Sequence, residues 1–262
     1  MSLPPRYLEK GHEKGTGPCA VLFMHGVGSD AESWMPQVDH FAARGYRAIA
    51  WNLPGYGGTP MLPDLSFAGI AAALLALLDE LKIERVHLVG HSYGGMVAQE
   101  FVASHADRLR SLTLSGTSPA FGRPDGEWQQ NFVRERLAPI EAGKSMADLA
   151  AGMIQSLTGR SPNPMGMAIA RRSIAQVPSA TFAAGIRLLV TFDRRDALAG
   201  IRTPTLVLSG EQDSNAPAEM MQRMAGKIRK AEYVCLAGVG HLGNLENPGA
   251  YNAALERFLA AH

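Results

Sequence analysis

Short apolar runs alternate with amphipathic stretches through the first 115 residues. Cys19–Met24, Tyr46–Trp51, Val86–Gly90 and Leu109–Ser115 are each of strand length and apolar on both faces, the pattern of strands covered on two sides. Between the second and third runs, Ile70, Leu74, Leu77, Leu78 and Leu81 recur at three- to four-residue spacing behind Ser66. This predicts a helix over 66–82 with Ser66 as its N-cap. Another helix is predicted at about 95–105, directly after the third strand. From about 119 to 198 the rhythm stops. Six prolines and several short amphipathic segments, with no convincing strand, predict a helical insertion. The alternation then resumes with strand Thr205–Ser209, helix Ala218–Lys227, strand Tyr233–Leu236 and a final helix over Pro248–Ala260. The expected fold class is α/β, a mostly parallel sheet flanked by helices. Residues 1–118 and 199–262 form the expected core, and residues 119–198 the insertion.

Composition narrows the function classes. A chain of 262 residues suits one domain with an insert. Its 46% hydrophobic and 19% charged residues exclude disorder. Twenty-five basic and 24 acidic residues leave a net charge of +1, which removes the electrostatic argument for a nucleic-acid partner. No run of 18 apolar residues occurs, so neither a transmembrane helix nor a membrane partner is expected. The first residues lack a charged region followed by an apolar stretch, so a cytoplasmic location is expected. Cys19 and Cys235 lie in separate apolar runs and read as free, buried thiols on strands.

The chemistry concentrates at Gly90-His91-Ser92-Tyr93-Gly94, a G-x-S-x-G pattern between a strand and a helix. A serine at such a turn is strained, and the flanking glycines leave room where a Cβ would clash. The strain turns the hydroxyl out of the sheet, above a helix N-terminus that favours a developing anion. Ser92 is the candidate nucleophile. It needs a base, and the base needs an orienting acid. His241 is the candidate base, because it follows a strand and a loop of small residues, at the sheet edge where open α/β sheets put their sites. His25 and His91 are its competitors; His25 reads as a residue that holds its own loop. Asp213 is the candidate acid in the turn after Thr205–Ser209, with Glu211 as the alternative. The N–H groups of Val27, in the turn His25-Gly26-Val27-Gly28, and of Tyr93 are the candidate oxyanion hole. No complete dinucleotide or phosphate-loop fingerprint and no Cys/His metal spacing is present, so the expected mechanism uses no cofactor and no metal.

These motifs, HGVG at 25–28, LPGYGGT at 53–59, GHSYGG at 90–95, GEQD at 210–213 and GHLGNLENP at 240–248, resemble those of the α/β-hydrolase family in order and over nearly the whole chain. The triad order Ser, Asp, His is that family's. Ser92 in place of an aspartate argues against a dehalogenase or an epoxide hydrolase. Within the family, GHSYGGMVAQEF at 90–101 and the return segment 194–205 look most like the 3-oxoadipate enol-lactonase and small carboxylesterase branch. That resemblance implies cleavage of a small-molecule ester or lactone through an acyl-enzyme. The alternatives are carbon–carbon hydrolysis of a vinylogous diketone on the same triad, or a non-catalytic binding protein. One departure is that about 18 residues precede the first long strand, where the family has a longer N-terminal hairpin; it puts the sheet edge in doubt. The insertion holds ten basic and seven acidic residues. The lactonase likeness implies a substrate carboxylate that would suit one buried arginine, although solvated arginines on helix faces are the commoner case. Trp34 and Trp128 are candidate substrate contacts. Phe121, Phe132, Met146, Met153, Met165 and Met167 could line an apolar pocket or fill the insertion's own core. Its apolar character could also support a homodimer.

Overall fold

The computed structural model describes residues 6–11, 20–121 and 125–262. Seven strands form one sheet: β1 (Tyr7–Lys10), β2 (Ala20–Met24), β3 (Arg47–Trp51), β4 (Val86–His91), β5 (Leu109–Ser115), β6 (Thr205–Gly210) and β7 (Glu232–Leu236). Their order is β1-β3-β2-β4-β5-β6-β7, and β1 alone runs antiparallel, against β3. This is the sheet that the resemblance implies. The run 19–24 is seen as a strand from Ala20; Cys19 lies outside the described residues.

Burial on both faces explains the continuous apolar runs. In β2, Leu22 and Met24 face one core layer, and Val21 and Phe23 face the other, as the two-residue strand period requires. The first layer is closed by α2 (Phe67–Glu80), α3 (Tyr93–His105) and α8 (Ala218–Lys227), which supply Ile70, Leu74, Val97, Phe101 and Met221. The second is closed by α1 (Met35–Ala42) and α10 (Pro248–Leu259), with Val38, Phe41, Leu255 and Phe258. Ser66 caps α2 as expected, its hydroxyl accepting the Gly69 N–H at 3.0 Å.

Between β5 and β6 the chain forms α4 (Glu127–Glu141), α5 (Met146–Leu157), α6 (Pro164–Gln176) and α7 (Ser179–Leu189). It leaves and returns side by side. The Phe121 N–H meets the Phe192 carbonyl at 2.9 Å, and the Arg194 N–H meets that of Pro119 at 2.8 Å. Arg194 then ion-pairs with the buried Glu100 of α3.

Three features differ from the sequence reading. The edge strand β1 has only four residues, too short for a periodicity to show. Helix α1 begins at a one-turn 3₁₀ helix (Ala31–Trp34) with Pro36 in its first turn, which obscures the helical spacing. Cys235 is free but exposed rather than buried, because β7 is an edge strand with two exposed positions. No helix among the described residues is long and apolar enough to cross a membrane.

Candidate active site

Strand order reverses direction around β2, with β3 on one side and β4 on the other. A crevice opens at the carboxyl ends of strands at such a point. Val27 lies just past β2 and Ser92 just past β4.

Ser92 has φ 52° and ψ −114°, a strained conformation of the kind that persists only when its surroundings impose it. The surroundings are tight. A Cβ on Gly90 would lie 2.4 Å from the Gly94 carbonyl oxygen, and one on Gly94 would lie 2.5 Å from that of Met24. Ser92 is held by its N–H to the Ser115 carbonyl at 2.9 Å and by its own carbonyl, which accepts the Thr117 hydroxyl at 2.8 Å. Its side chain makes no capping bond to α3, so the hydroxyl is not engaged by the helix it precedes.

The loop after β2 is pinned against this turn. The Gly94 N–H donates to the His25 carbonyl at 3.1 Å, and a Cβ on Gly26 would come within 3.5 Å of the Ser92 Cβ. His25 holds its loop, as expected. Its Nδ1 bonds to the Gly26 carbonyl at 2.8 Å, and its Nε2 accepts the Leu53 N–H at 3.1 Å. Burial lowers His25 to a pKa of about 4, so the ring stays neutral. Tyr56 adds a second brace, donating its hydroxyl to the Val27 carbonyl at 2.8 Å. Among the described residues, no carbonyl takes the N–H of Val27 or of Tyr93. Tyr93 is the first residue of α3, where an N–H has no intrahelical partner.

His241 and Asp213 meet at 2.7 Å, Nδ1 to Oδ2. Asp213 Oδ1 accepts the N–H groups of Asn215 at 2.8 Å and Ala216 at 2.9 Å. Burial pushes the Asp213 carboxyl up, but the His241 charge, its hydrogen bond and the two N–H groups outweigh that and hold it below the usual carboxylate value. With Nδ1 turned to Asp213, Nε2 is the ring nitrogen left over, and His241 lines the cavity. Glu211, the alternative acid, instead accepts the Gly238 N–H at 2.8 Å. His91, the competing base, is buried and packs 4.8 Å from the His241 ring. Burial, with the neighbouring His241, lowers it to about 3.

Sequence reasoning gave Glu246 and Tyr56 no role. Glu246 is 5% exposed in the one-turn helix α9 (Gly243–Glu246). Its carboxylate accepts the N–H groups on both sides of His241, Gly240 at 2.9 Å and Leu242 at 2.9 Å, and that of Gly159 in the insertion at 2.7 Å. The Leu157 carbonyl accepts the His241 N–H at 2.6 Å. Both residues stand inside quoted motifs, LPGYGGT and GHLGNLENP, but only the folded geometry shows what they touch.

Ser92 and His241 open into one cavity of about 740 Å³ between the sheet edge and the inserted helices. Trp34 and Trp128 both line it. Trp34 is buried and stacks on Phe23 at 5.0 Å; Trp128 is 61% exposed and stacks on Phe132 at 5.6 Å. Phe121, Phe132 and Met153 line the cavity as well. Met146 is buried away from it, Met167 does not reach it and Met165 is exposed. Among the described residues, no cluster of His, Cys, Asp or Glu could hold a metal ion.

Residues 21–254 match the family described as "Alpha/beta hydrolase family". The chain is 27% identical to 3-oxoadipate enol-lactonase 1 of Acinetobacter baylyi over 87% of its length and 84% of the relative's. It is 30% identical to the pimeloyl-[acyl-carrier protein] methyl ester esterase of Aeromonas hydrophila, over 94% and 96%. The crystal structure of the enol-lactonase from Burkholderia xenovorans LB400 superposes with a TM-score of 0.83 at 26% identity, covering 97% of this chain and 95% of that one.

Proposed function

Because the chain belongs to the alpha/beta hydrolase family, we propose that it is a serine hydrolase that cleaves a carboxylic ester or lactone through an acyl-enzyme. The observation that carries this reading is the pairing of a strained, uncapped Ser92 with the bonded Asp213–His241 couple on one cavity. Ser92 Oγ attacks the acyl carbon while His241 Nε2 takes its proton. The carbonyl π pair moves to the oxygen, which the N–H groups of Val27 and Tyr93 receive. Collapse expels the alkoxide, which takes the proton from His241 and leaves Ser92 acylated. Water then attacks the ester carbonyl, His241 accepts its proton and returns it to Ser92, and the carboxylic acid departs. Asp213 holds the ring in the required tautomer and stabilises its cation. Neutral His25 and His91 add no competing positive charge beside it. The inserted helices act as a cap over the site.

The test is hydrolysis of p-nitrophenyl acetate by the native enzyme and by Ser92→Ala, with fluorophosphonate labelling of both. The variant should lose about 10⁴–10⁶-fold in kcat and should not label. An active, labelled Ser92→Ala would end the reading.

A further inference from the structure

The cavity walls describe the group that must enter. The inner wall is built from Met96, Met153, Ile174, Phe182, Ile186 and Leu189, all buried or half-buried. Two contacts tie this wall to the oxyanion side. A Cβ on Gly28 would meet the Met153 methyl at 2.7 Å and Phe182 at 3.6 Å, and one on Gly185 of α7 would meet Val27 Cγ2 at 2.4 Å. Another part of the lining follows Asp213 in the chain. There Asn215 and Pro217 line the cavity and are exposed.

Charge is confined to two places. Among the described lining residues, the ionisable groups are His91 and His241 beside Ser92, and Glu135 and Arg136 of α4. The latter two are exposed, and the Arg136 guanidinium lies over the Phe132 ring at 4.7 Å. The remaining described arginines of the insertion do not line the cavity. Arg172, Arg187, Arg194 and Arg195 pair with Glu32, Glu141, Glu100 and Asp193 outside it. The buried arginine that the lactonase resemblance implied is therefore not found among the described residues. Arg123 lies outside the described residues; among the described ones, a carboxylate pressed against Met96, Met153, Ile174, Phe182, Ile186 and Leu189 would be stripped of water with no lysine or arginine of that wall to receive it.

We infer that the acyl group of the substrate is uncharged, apolar and of medium length. The inference rests on the reading of Ser92 and His241 as nucleophile and base. The apolar wall adjoins Gly28 through Met153 and Phe182, and Val27 through α7, which sets it beside the proposed oxyanion loop and gives it to the acyl chain. Each methylene moved from water to such a wall raises kcat/KM about fourfold, from roughly 0.8 kcal/mol of transfer.

The experiment measures kcat/KM for p-nitrophenyl acetate, butyrate, hexanoate and octanoate, and for p-nitrophenyl hydrogen adipate, which is the hexanoate with a terminal carboxylate. The expected result is a rise of about tenfold or more per two methylenes until the cavity is full. The adipate half-ester should fall at least about 100-fold below hexanoate. Met153→Ala, at a half-buried position, should move the optimum to a longer chain. Acetate turnover that depends on Ser92, with a flat or falling chain-length series or with adipate matching hexanoate, overturns the inference and leaves the serine mechanism standing. Absence of turnover and of fluorophosphonate labelling overturns both.

Discussion

Replacing Glu246 with alanine removes one acceptor from three backbone N–H groups at once. Gly240 and Leu242 are buried, whereas Gly159 is half-buried and can turn to water. Two buried donors left unsatisfied cost about 1–3 kcal/mol each, so Glu246→Ala should lose about 2–6 kcal/mol against a total stability of about 5–15 kcal/mol. Glu246→Gln keeps one acceptor oxygen but turns an amide NH₂ toward a donor, and should lose about 1–3 kcal/mol. Urea unfolding reads both, as a lower midpoint at an unchanged slope. The same bonds fix the backbone on either side of His241, so the proposed base shifts when they go. A displacement near 1 Å lowers turnover about 100-fold. Ester hydrolysis, assayed where both proteins are folded, should therefore drop about that far in kcat for alanine and partly recover in the glutamine variant. An alanine variant within about 0.5 kcal/mol of native stability and within about twofold of native kcat would refute the argument.

Asp30 and Tyr56 give two further tests. Asp30 is buried, and its carboxylate accepts the Ser173 hydroxyl of α6 at 2.6 Å and the Glu32 N–H at 2.9 Å. Burial raises its pKa to about 6, above the lowering by Ser173. The folded state thus holds a proton that the unfolded chain, near 3.9, has already released. The resulting stability is present below about pH 4 and is lost as pH rises through 6, by up to about 3 kcal/mol. Urea midpoints of native protein and Asp30→Asn at pH 5 and pH 7.5 should diverge by that trend, with the variant gaining at the higher pH; parallel midpoints would contradict it. Tyr56→Phe deletes the hydroxyl that braces the Val27 carbonyl. It should lower kcat about tenfold with KM little changed, at a stability loss of about 1 kcal/mol; steady-state kinetics and urea unfolding separate the two.

The sequence displayed most of the fold because parallel strands buried on both faces are continuous apolar runs. The run Leu109–Ser115 and the helix 218–227 coincide with β5 and α8. What stayed hidden lacked a local signature. Strand β1 is defined by its ladder to β3, not by its four residues. Helix α1 starts behind a 3₁₀ turn, and Cys235 is exposed because nothing among the described residues pairs with the outer edge of β7. At the site, Ser92, Asp213 and His241 could be named as candidates because a strained turn and strand-end carboxylate and imidazole are local patterns; the fold brings Ser92 and His241 to one cavity and bonds His241 to Asp213. The partners of Glu246, Tyr56 and Asp30 are not, since Gly159, Val27 and Ser173 lie far along the chain. Cavity polarity was equally hidden, because arginines in a sequence do not reveal that carboxylates outside the cavity occupy them.

The backbone around Leu157–Gly159 touches the histidine loop directly. Leu157 takes the His241 N–H, and a Cβ on Gly240 would lie 2.6 Å from the Gly159 nitrogen. An insertion that shares hydrogen bonds with the proposed base is not an interchangeable module. On the proposed mechanism, grafting the insertion of a relative onto this core would alter the cavity lining and disturb proton transfer in the same step, unless residues 157–159 stay native. The far end, α4 with Trp128, Glu135 and Arg136, lines the cavity without a described hydrogen bond to the His241 loop, so on the same mechanism it is the segment a graft would exchange with least effect on the base.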